Sequence, residues 1–171
     1  MTPAKRSPID PIAEARRQWD AHGWTESSTG MTVVTSVMRA QQLLQARVDE
    51  TLKPYNLTFA RYELLTLLSF TREGRMPISS AAARLQVHPT SVTNTVDRLE
   101  QAGLVRREPH PGDGRATLVA LTAAGRTRAA EATASLNDQV FSRVGLTAAD
   151  AEQLIAVVAR LRADAGDHVA G

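Results

Sequence analysis

Apolar positions in this chain of 171 residues recur mainly three and four apart, the period of one helical face, and give way to strand-like segments in one region. Asp10-Pro11 opens the first helix, an N-cap followed by a proline whose fixed φ suits the first turn. That helix runs to about His22, where Gly23 stops it. Gly30 and its Ser/Thr neighbours predict a linker. A long helix follows from about Met31 to Leu52, striped by Val34, Val37, Leu44, Val48 and Leu52 and ended by Pro54. Thr58 caps a helix over about 59–71, with Phe59, Tyr62, Leu65 and Leu68 on one side. Ser79 opens a short Ala-rich helix to about Gln86. After the tight connection Val87-His88, with His88 as cap, Pro89 starts another helix that ends at Ala102-Gly103.

The period changes at Leu104. Residues 104–108 and 116–121 have strand character, and the Gly/Pro-rich stretch from Pro109 to Arg115 predicts a hairpin with a polar tip. Thr122 caps a long helix to about Val144. Thr147 caps the last, over about 148–165, with Asp150 placed like the acidic partner of a capping box. Two helices joined by a short turn and followed by a β-ribbon form a winged helix-turn-helix. The expected fold class is mainly α with a small β-hairpin wing, the winged helix-turn-helix being flanked by dimerisation helices. The expected divisions are an N-terminal extension with one helix (1–30), a dimerisation helix (31–56), the winged region (57–121), further dimerisation helices (122–165) and a flexible tail (166–171).

The expectation of a homodimer rests on surplus apolar surface. Leu136, Val140 and Val144 stripe one late helix; Leu154, Val157, Val158 and Leu161 stripe the other. Together with the long early helix, these exceed what the winged region needs for a core of its own. A two-fold pair would hold two copies of the helix that begins at Pro89 about 34 Å apart, one turn of duplex DNA.

Composition changes this picture little. The chain is 43% hydrophobic and only 4% aromatic, so its core is built mainly from Leu, Val, Ile and Ala. It has no cysteine, which excludes disulfides, thiolate metal sites and cysteine nucleophiles. Met1 to Ile9 carries Lys5 and Arg6 with no apolar run behind, and no stretch approaches a membrane span, so a cytoplasmic protein with no membrane partner is expected. His22, His88, His110 and His168 fall at no metal-ligand spacing, and neither a G-x-S-x-G elbow nor a phosphate-cradling loop is present. No enzyme activity, cofactor or metal is expected.

Charge placement says more than the net charge of +2. Residues 84–128 hold seven arginines against four acids, whereas from 131 onward there are six acids and three arginines, so the middle of the chain is the basic part. On the helix from Pro89, Val92, Val96 and Leu99 share one face; the opposite face carries Thr90, Asn94, Asp97, Arg98 and Gln101, with Thr93 and Ser91 on its flanks, and the expected DNA contacts are Pro89, Thr90, Ser91, Thr93, Asn94 and Arg98. Short hydroxyl and amide side chains let a helix sit deep in a major groove, where Asn can bond adenine bidentately. Asp97 and Glu100 come later, where such a helix would leave the groove. At the hairpin tip, Asp113 would shape the loop, Arg115 would reach into the adjacent minor groove and His110 would touch phosphate. Double-stranded DNA is the expected partner. The alternative is a winged helix used only for protein–protein contact, but such a face favours aromatics, Leu or Met.

The segments "LTFARYELLTLL", "HPTSVTNTVDRLEQAGLVRR" and "DGRATLVALTAAGR", with the closing amphipathic helix, resemble the MarR family over about residues 31–165. The resemblance implies a homodimeric regulator that binds a pseudo-palindromic promoter site, usually represses, and often releases DNA when a small-molecule effector binds. It places the recognition helix at Pro89–Ala102, the wing at Leu104–Leu121 and the family's D-x-R pattern at Asp113 and Arg115. The N-terminal helix is similar to that of the urate-responsive subgroup, which implies a candidate effector pocket at Trp19, Glu63, Thr95 and Arg107. That subgroup has Asp where Glu63 stands and Arg where Thr95 stands, so urate is not the expected ligand, and Trp19 is read as a packing residue.

Overall fold

In a computed structural model of the chain, residues 9–167 are described, apart from the side chains at 114 and 115. Most of the predicted tail, including His168, lies outside the described residues. The contacts divide the chain into two units, 1–50 and 51–171.

The first unit holds α1 (Pro11–Ala21) and nearly all of α2 (Thr25–Leu52). The Asp10 side chain accepts from Ile12 N at 3.0 Å, and Gly23 takes φ +82°, so both predicted ends of α1 are present. The predicted linker at Gly30 is not: α2 begins at Thr25 and runs straight through it. The reason is local. Ser28, Thr32 and Thr35 each turn a hydroxyl back onto a carbonyl of the preceding turn, at 3.1, 2.7 and 2.9 Å. Small polar residues that read as a loop thus satisfy themselves inside the helix. Val33, Val34, Val37, Met38, Leu43 and Leu44 of α2 are exposed.

The second unit carries the winged helix. After a single 3-10 turn at Lys53–Tyr55, the order is α3 (Phe59–Ser69), β1 (Arg75–Pro77), α4 (Ile78–Leu85), α5 (Pro89–Gln101), β2 (Val105–His110), β3 (Asp113–Leu121), α6 (Ala123–Gln139), another 3-10 turn at Phe141–Arg143, and α7 (Ala148–Asp164). The sheet is antiparallel in the order β1-β3-β2, so the predicted two-stranded hairpin is a three-stranded sheet. Strand β1 has only three residues, too few to alternate visibly, and it forms because Met76 lies opposite Val119 on the hairpin. The strands also run closer to the tip than predicted, with His110 paired to Asp113.

The core of this unit is made of Leu64, Leu65 and Leu68 of α3, Val92, Val96 and Leu99 of α5, Leu118 and Val119 of β3, and Ala129, Ala132 and Leu136 of α6. The α6 stripe predicted for a partner is therefore spent largely within its own chain: Leu136 is fully buried and Val140 is 4% exposed. Helix α6 also ends at Gln139, short of the predicted Val144, which is exposed. Its fit to α3 is polar as well, through Tyr62 Oη with Thr133 Oγ1 at 3.1 Å, and Tyr55 of the preceding 3-10 turn adds Oη with Ser135 Oγ at 2.6 Å.

The start of α6 is pressed against the start of the wing. The Thr122 hydroxyl donates to Gly103 O at 2.8 Å and accepts from Gly125 N at 3.0 Å. A Cβ at Gly125 would lie 1.9 Å from Leu104 O, so only glycine fits there. Helix α7 differs. Thr147 caps it, accepting from Asp150 N at 3.2 Å, but none of its residues is buried, and Leu154, Ile155, Val157 and Leu161 are at least half exposed.

Candidate nucleic-acid interface

Helix α5 is set by its first turn and its apolar face. His88 Nδ1 accepts from Thr90 N at 3.3 Å, and Pro89 occupies the first helical position. Val92, Val96 and Leu99 are buried, which fixes the rotation of the helix. As a result, the side chains of Pro89, Thr90, Ser91, Thr93, Asn94 and Arg98 all face solvent. Thr93 Oγ1 donates back to Pro89 O at 3.1 Å and so has one fewer donor for an outside partner.

The acidic end of α5 is held by the wing. Arg107 on β2 bonds Asp97 Oδ1 at 2.5 Å through its guanidinium and Glu100 Oε1 at 2.8 Å through its backbone N–H. The guanidinium also pairs with Glu100. Burial disfavours the charged form of Arg107, but the hydrogen bonds to Asp97 and Glu100 outweigh it and its pKa is raised. These contacts engage both acids of α5 and tie the helix to the sheet.

In the wing, His110 Nδ1 accepts from Gly112 N at 3.2 Å and closes the tip. Asp113 is exposed at the start of β3. The side chain of Arg115, and with it the expected reach into a minor groove, lies outside the described residues. Across the sheet, Glu108 accepts from Arg106 Nε at 2.7 Å and from Arg75 Nη1 at 3.1 Å. These hydrogen bonds, led by that from Arg106, hold the Glu108 carboxyl below its ordinary range. The bridge from β1 to β2 over β3 was invisible in sequence, since β1 itself carried no period.

An exposed polar face on the second helix of a helix-turn-helix, with a sheet wing beside it, invites comparison with known proteins. Residues 57–117 match the MarR family. Sco5413, a MarR family transcriptional regulator from Streptomyces coelicolor, is 46% identical, and its solved structure covers 82% of this chain and 99% of its own, with a TM-score of 0.73. The chain belongs to the MarR family. A second Streptomyces coelicolor member, Sco3205, solved in complex with DNA, is 27% identical over 78% of this chain and 84% of its own, with a TM-score of 0.67. The chain spans 59% of the length of ML2140, an uncharacterized HTH-type transcriptional regulator of Mycobacterium leprae to which it is 36% identical.

In this MarR family chain, two of the four candidate effector residues share a cleft within the second unit. Glu63 and Thr95 line one cleft of about 40 Å³ between α3 and α5, closed by Leu85 at the end of α4 and Val87 after it. Burial pushes the Glu63 carboxyl up. Arg107 is engaged by Asp97 and Glu100 instead. Trp19 belongs to the first unit, edge-on to Trp24 at 5.1 Å, and Trp24 stacks on His22 at 5.4 Å. Among the described residues no helix is long and apolar enough to cross a membrane.

Proposed function

We propose that this protein is a homodimeric, DNA-binding transcriptional repressor. The observation that carries the reading is the polar face of α5, with six short or cationic candidate contact residues all exposed and no large apolar side chain among them. Such a face suits the floor of a major groove, with phosphates met by the wing and by the start of the helix. The solved complex of Sco3205 with DNA supports the same partner here. The exposed apolar rows of α2 and α7 support pairing of two chains, because rows of this size seldom stay in water. A two-fold pair calls for a pseudo-palindromic operator.

Release by a small effector is the reading that the cleft lined by Glu63 and Thr95 supports. At about 40 Å³ it admits little more than water, so a metabolite entering beside Glu63 and Thr95 has to part the two helices. Because α5 carries the DNA face, that movement displaces it from the groove.

Titration against duplexes from around its own gene tests the reading. The expected result is saturable binding by a species of twice the 18.5 kDa chain mass, with affinity falling steeply in salt at a log–log slope near −0.9 per neutralised phosphate. Asn94→Ala should weaken the preferred duplex by about 1–3 kcal/mol while sparing unrelated DNA. A chain that sediments singly and ignores every duplex refutes the proposal.

A further inference from the structure

A cleft of about 400 Å³ opens between the start of α3 and the C-terminal half of α5, lined by Asn56, Leu57, Arg61, Arg98, Gln101 and Leu104. Arg98 and Gln101 also line a second depression, of about 430 Å³, together with Asn94 of the exposed face and Asp97. The two adjoin at Arg98 and Gln101, a trough with Arg61 at one end and Asn94 at the other.

The trough is cationic for reasons that can be named. Arg61 lies in the first turn of α3, where the partial positive charge of the helix end disfavours a cation. Among the described residues no carboxylate lies within ion-pair distance of Arg61 or Arg98. The acids that flank Arg98 on α5, Asp97 and Glu100, are both held by Arg107. The wing thus engages both acids through one guanidinium, and the two arginines of the trough outnumber its one lining carboxylate, Asp97. Buried Leu57, Leu99 and Leu104 back it with apolar surface, which strengthens the field of the two guanidinium groups. Arg61, Arg98 and the helix end all favour an oxyanion, and the trough opens on the face assigned to DNA.

We propose that this trough seats a backbone phosphate of the duplex, with Arg98 clamping it from the recognition helix and Arg61 from outside it. The inference rests on the DNA-binding reading. Inorganic phosphate shares the chemistry, so the experiment separates the two sources.

Wild type, Arg61→Gln and Arg61→Lys are titrated over a salt series against the preferred duplex and an unrelated one. The Arg61 side chain has no hydrogen-bond partner among the described residues, and thermal melts of each variant check that the fold is retained. Arg61→Gln should lose about 5–10-fold on both duplexes and lower the salt slope by about 0.9, leaving their affinity ratio unchanged. Arg61→Lys should restore most of the slope. If wild type binds DNA and Arg61→Gln keeps its slope, the clamp is overturned and the proposed function stands. If wild type binds no duplex, both fall. Calorimetry with inorganic phosphate supplies the remaining arm: binding abolished by Arg61→Gln, with an unaltered DNA slope, would assign the trough to a free anion and overturn the phosphate clamp.

Discussion

Helices α6 and α7 are entered through the same four residues, Leu-Thr-Ala-Ala, are each 17 residues long and are each capped by the threonine of that quartet. Their surroundings are opposite. α6 packs on α3 and buries Ala129, Ala132 and Leu136, while α7 buries nothing and leaves four large apolar side chains at least half exposed. An amphipathic pattern states that a helix has something to hide. It does not state whether the cover comes from its own chain or from another.

The widest separation should come from truncating one apolar residue in each helix. Leu136→Ala removes a fully buried side chain and should cost about 2–5 kcal/mol, read as a lowered denaturant midpoint at every protein concentration. Leu161→Asp should change the stability of the isolated chain by no more than about 0.5 kcal/mol, since the residue is 53% exposed there. It should instead abolish the concentration dependence that pairing of two chains imposes on the melting temperature. Equal behaviour of the two variants would end the distinction between a helix of the core and a helix of an interface.

The third helical position sharpens the contrast. In α6 it is Gly125, pressed on Leu104 O; in α7 it is Asp150, exposed and hydrogen-bonded to its cap. Gly125→Ala cannot be relieved by a side-chain rotation, because the clash is with backbone. It should cost at least about 1–3 kcal/mol and push the wing away from α6, weakening DNA binding beyond the loss of stability. Asp150→Ala should do neither.

The same pair of helices shows what was legible in the sequence. Thr122, Thr147, His88, Pro89 and Gly103 announced their ends because capping is local chemistry, readable within four residues. The polar and apolar faces of α5 were legible for the same reason, and all six predicted contact residues are exposed. What failed was decided at a distance. Strand β1 exists through its pairing with residues 118–120, more than 40 positions away. Leu136 was assigned to a partner because α3 could not be seen lying on it. Gly30 was read as a break, although hydroxyls of neighbouring turns were able to carry the helix through. The engagement of Arg107 by Asp97 and Glu100 joins a strand to a helix and had no motif of its own.

The caps themselves offer a smaller effect. Thr122 serves both its helix and the carbonyls of Gly103 and Leu104, whereas the contacts of Thr147 stay within α7. Loss of a threonine cap costs about 0.5–2 kcal/mol, so Thr122→Ala should lie near the upper end and Thr147→Ala near the lower. Chemical denaturation of the two variants side by side measures the difference, and a larger loss at Thr147 would contradict the burial pattern.

The subtlest version of the comparison replaces two like helices with two like carboxyls. Glu63 sits in the cleft between α3 and α5 with burial raising its pKa, while Glu108 lies between Arg106 and Arg75, whose hydrogen bonds lower its own. Folding therefore binds a proton more tightly at Glu63 and less tightly at Glu108, and their contributions to stability run in opposite directions with pH. The favourable contribution of Glu108 is present above the ordinary carboxyl range and fades as pH falls through its lowered folded value. The protonated form suits Glu63, so stability drains as pH rises from the ordinary carboxyl value through its raised one. Glu63→Gln should accordingly flatten the stability curve on the upper side of the carboxyl range, and Glu108→Gln on the lower side, when unfolding midpoints are followed across acid pH. Because both groups are partly open to solvent the effects should be small, but their signs must differ; a change on the same side for both would mean that the α3–α5 cleft is as well solvated and compensated as the wing.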